Sequence, residues 1–171
     1  MISNTENDVT SKSKKKHSLV LSYLLTAIIF IVLFTTVLMV TQCRGNDMYP
    51  SVKEGDLLFA NRLAKPQCGD VVIYEYEQSD RLLVGRVAAC GGSEIDIYGG
   101  VVKVDSLISD TDVIYETEPG SEIDYPFQVP EGSYFILGDK RNDAVDSRTF
   151  GAISEDQIKG RVFNLMRRRT I

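Results

Sequence analysis

The sequence predicts a mainly antiparallel β domain held behind one N-terminal transmembrane helix. Two observations predict it. From Leu19 to Val40 there are 22 residues without a charge, dominated by Leu, Ile, Val and Phe. At about 1.5 Å per residue they span a hydrocarbon core of about 30 Å. Beyond them, short runs of β-branched and aromatic residues alternate with Gly, Pro and Asp turns, as in a hairpin-rich sheet. The 171 residues suffice for one compact domain and a tail.

Taken in order, residues 1–17 read as a polar cytoplasmic tail and 18–41 as the anchor. Residues 42–171 form the extracytoplasmic domain, with a β-hairpin-rich extension at about 94–137. A cleaved signal peptide competes for the apolar run, but it calls for an apolar region of about 7–15 residues and a small-x-small cleavage site. Met39 to Cys43 offers no such site, which favours the uncleaved anchor. Lys12, Lys14, Lys15 and Lys16 precede the run, whereas Arg44 alone stands close behind it. The positive-inside rule therefore puts the N-terminus in the cytoplasm. The same lysines also suit a disordered polar tail.

Strands are expected at Leu57–Ala60, Val71–Tyr76, Leu82–Val84, Val101–Val104 and Tyr134–Leu137, with turns at Pro66, Gly69-Asp70, Gly91-Gly92, Gly99-Gly100 and Pro130–Ser133. Ser154 suits an N-cap, so Glu155 to Lys159 reads as one helical turn. Asp110 to Asp124 is an acidic run around Val113-Ile114-Tyr115. It reads first as a solvated hairpin with one half-buried strand, and second as a partner-binding or self-associating edge. Arg167-Arg168-Arg169 is either a frayed tail or a contact for anionic headgroups.

From Arg44 onward the chain carries 22 of its 24 acidic residues and 15 of its 19 Lys and Arg, which makes nucleic acid a poor partner. Three cysteines, Cys43, Cys68 and Cys90, leave at least one unpaired within a monomer. A Cys68–Cys90 disulfide is compatible with the sequence, and Cys43 is either a lipid acceptor beside the membrane or a small buried hydrophobe.

Composition restricts the chemistry. His17 is the only histidine and lies on the cytoplasmic flank. Ser-His-Asp and Cys-His catalysis need an imidazole, and zinc sites need His or several Cys. Neither fits the external part, and no metal or cofactor is expected. Amide hydrolysis would be left with a Ser-Lys pair or a pair of aspartates sharing one proton.

Gly45-Asn46-Asp47-Met48-Tyr49-Pro50-Ser51, followed by Gly55-Asp56, resembles the G-x-S-M-x-P-[ST]…G-D box of type I signal peptidases, with Asp47 at the place of the nucleophilic serine. Gly85-Arg86-Val87 resembles that family's Lys-Arg-Val, with Gly85 at the place of the general-base lysine. Gly138 to Gly151 is similar to G-D-N-R-D-N-S-x-D-S-R-x-F-G, with Ala144 replacing the serine that hydrogen-bonds the lysine in many relatives. Val87 to Ser93 keeps little of V-x-G-x-P-G-D. The resemblance runs in order from the anchor onward. It implies a signal peptidase-like antiparallel β fold, with Asp139, Arg141, Asp146, Ser147 and Arg148 as a structural motif in which Asp146 pairs with Arg148. It also implies a substrate or partner groove near Met48, Pro50 and the strand Val71, Val72, Ile73, Tyr74, where an extended segment binds by β-augmentation.

No lysine lies between Lys65 and Lys103, and Arg81 and Arg86 stay protonated near neutral pH. No substitute base is therefore expected. An Asp47–Asp146 dyad is the remaining proton-sharing alternative. A degenerate pair on this frame is similar to the signal peptidase-like proteins of Gram-positive pilus assembly. That similarity implies a non-catalytic, membrane-anchored assembly factor or chaperone working with pilin subunits and a pilus sortase. The alternative is an active signal peptidase with an unconventional mechanism.

Overall fold

The computed structural model describes residues 3–109 and 114–168. Asp110, Asp112 and Val113 of the acidic run and Arg169 of the arginine run lie outside them. The chain divides into two compact units, Met1–Val37 and Leu38–Ile171.

The first unit is helix α1, Ser3–Val37. Its Leu19–Val37 stretch has a mean hydropathy of 2.5 and is long and apolar enough to cross a membrane. The hydroxyls of Thr26, Thr35 and Thr36 donate to carbonyls three or four residues back, which satisfies these three donors within the helix. Helix α1 begins well inside the expected polar tail and ends at Val37. Residues 38–41 of the expected anchor instead run as strand, because pairing offers their β-branched backbone a ladder.

The second unit has two sheets. Its strands are β1 Leu38–Gln42, β2 Leu57–Asn61, β3 Val71–Tyr74, β4 Leu83–Cys90, β5 Glu94–Tyr98, β6 Val101–Val104, β7 Leu107–Ile108, β8 Phe127–Gln128, β9 Ser133–Leu137, β10 Ile153–Ser154 and β11 Ile158–Met166. The larger sheet has the order β1-β2-β11-β3-β4-β9-β10 and the smaller β7-β6-β5-β8, with every pair antiparallel. The hairpin extension thus forms its own sheet but ends at β8, since Ser133–Leu137 belongs to the larger sheet. Residues 114–126 contain no strand, and the half-buried strand expected at Val113–Tyr115 is not found at Ile114, which is 73% exposed.

β9 has buried residues on both of its faces. Tyr134 and Ile136 enter one core with Val72, Tyr74, Leu83, Val87 and Ile153. Phe135 and Leu137 enter another with Ala89 of β4, with Ile95, Ile97 and Val102 of the smaller sheet, and with Val129. The alternation follows the two-residue strand period. At about 25 cal/mol per Å² of apolar surface, side chains of this size buried on both faces fix the strand's register.

The helical turn expected at Glu155–Lys159 is a 3-10 turn, Glu155–Gln157, capped by a Ser154/Gln157 box. From Ile158 the chain runs as β11, between β2 and β3. Cys68 and Cys90 are bonded, and Cys43 is free and buried. Burial, followed by the Asp56 carboxylate, pushes the Cys43 thiol up to about 11. Burial of this sulfur removes the lipid-acceptor reading.

Candidate functional site

The Gly45–Ser51 turn follows β1. Met48 carries its side chain into the core at 1% exposure, while Tyr49 N donates to Asn46 O and Val52 N to Met48 O. Asp47 O accepts from Lys140 N at 2.9 Å, which ties this turn to the Gly138–Lys140 turn after β9. Position 138 must be glycine, since a Cβ there would sit 2.3 Å from Ala144 Cβ and 2.7 Å from Asp47 O. The fold thus gathers Asp47 and Ala144 around Gly138.

Gly85 sits one residue further back along the same junction. A Cβ on Gly85 would lie 2.3 Å from Ile136 Cγ2, 3.3 Å from Tyr74 Cε1 and 3.4 Å from Leu137 O. The first distance is steric overlap. Ile136 is fully buried and Tyr74 nearly so, so the room a side chain needs at position 85 is filled by a packed core. Glycine inside a strand marks such a close approach.

The charges around Asp47 do not supply a base. Burial raises the Asp47 carboxyl above the ordinary carboxylate range, and the Arg81 guanidinium partly offsets it. Lys140 Nζ pairs with Asp143 Oδ2 at 2.5 Å, and that bond raises the lysine's pKa and keeps it protonated. Asp146 is committed elsewhere, accepting from Gly138 N at 2.9 Å and from Arg148 N, Nε and Nη2 at 3.1, 2.8 and 2.9 Å. Four donors on one carboxylate leave no place for a proton shared with Asp47.

Because its carboxyl pKa is raised in the fold, Asp47 costs stability when ionised, and that cost fades as pH falls through the raised value. Asp47→Asn is therefore expected to raise the unfolding midpoint at neutral pH. The advantage should shrink on acidification toward the ordinary carboxylate range, as thermal unfolding of both proteins against pH would show.

The remaining motif residues build the frame. Asp139 holds Arg86 through two hydrogen bonds at 2.9 and 2.7 Å. Arg141 donates to Gly138 O and to buried Thr117 Oγ1. Ser147 Oγ accepts from Ile136 N at 2.9 Å, which fixes the strand whose isoleucine occupies the space beside Gly85.

The groove expected around Met48, Pro50 and Val71–Tyr74 needs correction. β3 is hydrogen-bonded to β11 on one edge and to β4 on the other, so no extended segment can add to it. Met48, Val72, Ile73 and Tyr74 are core residues, while Val71 and Pro50 are half-buried. β4 is paired along only part of its other side. β3 pairs with Leu83–Arg86, but β9 joins only from Arg86 onward. Leu83–Gly85 have no strand partner on the β9 side among the described residues. Beyond Ala144 a cavity of about 610 Å³ opens between segment 114–120 and residues 141–149.

Ile136 and the closeness of Arg81 to the Gly45 turn are features the sequence did not expose. An apolar strand does not announce which partner its Cγ2 will touch.

A strand-built junction carrying these boxes defines a signal peptidase scaffold, and comparison with known proteins agrees. The family described as signal peptidase, peptidase S26, matches residues 16–166, and the chain belongs to it. It is 28% identical over 176 residues to signal peptidase I T of Bacillus subtilis, covering 92% of this chain and 89% of that one. It is 28% identical to signal peptidase IB of Staphylococcus aureus, covering 80% and 83%. Thylakoidal processing peptidase 1 of Arabidopsis thaliana is 30% identical over 68% of this chain, which spans only 38% of the plant protein's length. A crystal structure of a signal peptidase I from Enterococcus faecalis superposes with a TM-score of 0.51 at 21% identity, over 59% of this chain and 98% of that one. It shares the fold.

Proposed function

We propose that this chain is a catalytically silent signal peptidase homologue that acts as a membrane-anchored assembly factor for pilus or surface-protein polymerisation. The overlap at Gly85 carries the reading. Where a base lysine would stand, the space belongs to Ile136 Cγ2 at 2.3 Å from the Cβ position. With Asp47 in place of the nucleophile and Lys140 held protonated, neither half of a Ser-Lys pair is present. Losing such a unit costs on the order of 10⁴–10⁶ in turnover.

Binding survives more easily than chemistry. Recognition of an extended segment through main-chain hydrogen bonds needs no nucleophile, and β4 lacks a strand partner on its β9 side over Leu83–Gly85 among the described residues, which supports such a role. Helix α1 and the lysines before it support a single-pass anchor with the N-terminus in the cytoplasm. The domain then works on the outer face, with pilin subunits or a pilus sortase as partners.

The test is complementation. Cells lacking this protein are expected to lose polymerised pili. Restoration by the Asp47→Ala variant to the level of the native chain is the expected result, with pilin or sortase co-purifying from membranes. Loss of polymerisation with Asp47→Ala, despite normal protein levels, contradicts the proposal.

A further inference from the structure

Asp56 gathers basic residues from three parts of the chain. It is 2% exposed, and its carboxylate accepts from Lys53 N at 3.0 Å and from Arg168 N at 3.1 Å. Its carbonyl accepts from Cys43 N at 2.8 Å, and Gly55 N donates to Cys43 O at 2.9 Å, which puts Arg44 beside the same turn. The arginine run is therefore no frayed tail as far as Arg168, whose Cδ lies 3.2 Å from where a Cβ on Gly55 would stand. Arg44, Lys53, Arg167 and Arg168 are all exposed, and among the described residues none of the four is in an ion pair. Lys53 Nζ lies over the Tyr49 ring at 5.4 Å, a contact that leaves its charge uncompensated. Glu54, exposed in the same turn, offsets only one of the four charges. Uncompensated cations stand together here in a part of the chain where acidic residues outnumber basic ones. Met166, next to the arginines, is 58% exposed and is paired with exposed Leu57.

We infer that this basic cluster docks on the anionic headgroups of the membrane that anchors α1. Val37 ends α1 and Arg44 follows seven residues later, so the chain holds Arg44 within about 25 Å of the helix end. Basic side chains kept close to an anionic bilayer are drawn to it, each worth about fivefold in the docked population. Met166 and Leu57 beside them suit the boundary between headgroups and acyl chains. The tether keeps a lipid surface within reach at all times, so lipid rather than an acidic polypeptide is the occupant. Docking limits the tumbling of the domain on its anchor and turns one fixed side toward partners. The inference rests on the anchor and holds whether or not a pilin or a sortase binds.

Hydrogen–deuterium exchange of the full-length protein in lipid nanodiscs tests this without any partner. One set of discs is phosphatidylcholine alone, and the other is rich in phosphatidylglycerol. Peptides covering residues 55–58 and 163–168 are expected to exchange about fivefold or more slowly in the anionic discs, with β6 unchanged. Arg44→Gln, Arg167→Gln and Arg168→Gln combined should abolish the difference, as should raised salt. The backbone N–H that residue 168 gives to Asp56 is kept in that variant, and unchanged exchange of β6 shows that it folds. Equal exchange of the wild-type protein in both discs overturns the inference, as does a difference that the triple variant retains. Free glycerol phosphate giving the same protection in neutral discs overturns it too, since the cluster would then be a site for small anions. Protection by polyglutamate in neutral discs, with none from anionic lipid, assigns the cluster to an acidic polypeptide and likewise overturns it.

Discussion

Gly85→Lys destabilises the domain by more than about 3 kcal/mol and restores no cleavage, even when combined with Asp47→Ser. The new Cβ falls 2.3 Å from Ile136 Cγ2, and overpacking of this kind costs about 1–3 kcal/mol. The lysine must also place an amine in a core built from Val72, Tyr74, Leu83, Val87 and Ile136, where an unpaired polar group adds a further cost of about 2 kcal/mol or more. Adding Ile136→Ala to Gly85→Lys removes the offending Cγ2, so the pair is expected to be more stable than Gly85→Lys alone. Ile136→Ala by itself costs about 2–5 kcal/mol. That reversal of sign in a double-mutant cycle, followed by urea unfolding in detergent, reports the contact directly. A Gly85→Lys protein as stable as the native chain contradicts the packing account.

The second large effect lies at Asp146 and Arg148. Their side chains are at most 9% exposed and meet at 2.8 Å, and the carboxylate also anchors Gly138 N. Arg148→Met leaves Asp146 as an uncompensated buried charge and is expected to cost about 3–5 kcal/mol. Asp146→Ala strands both the guanidinium and Gly138 N, and with them the turn that holds Asp47. The double replacement is expected to cost clearly less than the two single costs combined. Equal additivity in thermal unfolding contradicts the view that the pair acts as one unit.

Much of this architecture could be read from residues. The run from Gly138 to Gly151 announces the frame because its charges and glycines are needed at fixed places. Asp139 and Asp146 each hold an arginine, and Gly138 admits Ala144. Short strands dominated by β-branched residues, such as Val71–Tyr74 and Val101–Val104, are equally plain. β1 was hidden because Leu38–Gln42 continues the apolar run of α1 without a break. β11 was hidden because Lys159, Gly160, Arg161 and Asn164 interrupt its pattern, although it lies between two strands. The site was half legible. Asp47, Gly85 and Ala144 are visible as replacements, yet what fills the lysine's space depends on the contact of Ile136 with β4, which no local pattern encodes. The groove was misplaced for a related reason, since a strand's sequence does not say whether its edges are taken.

The most direct measurement is cleavage. Purified full-length protein in liposomes is incubated with signal peptide-bearing precursors, a pilin precursor among them, beside an active signal peptidase, and products are followed by mass spectrometry. The expected result is no cleavage at the signal peptide junction while the control is processed and the pilin stays bound. Cleavage by this protein that disappears with Asp47→Ala contradicts the account and establishes a carboxylate-based peptidase on this scaffold.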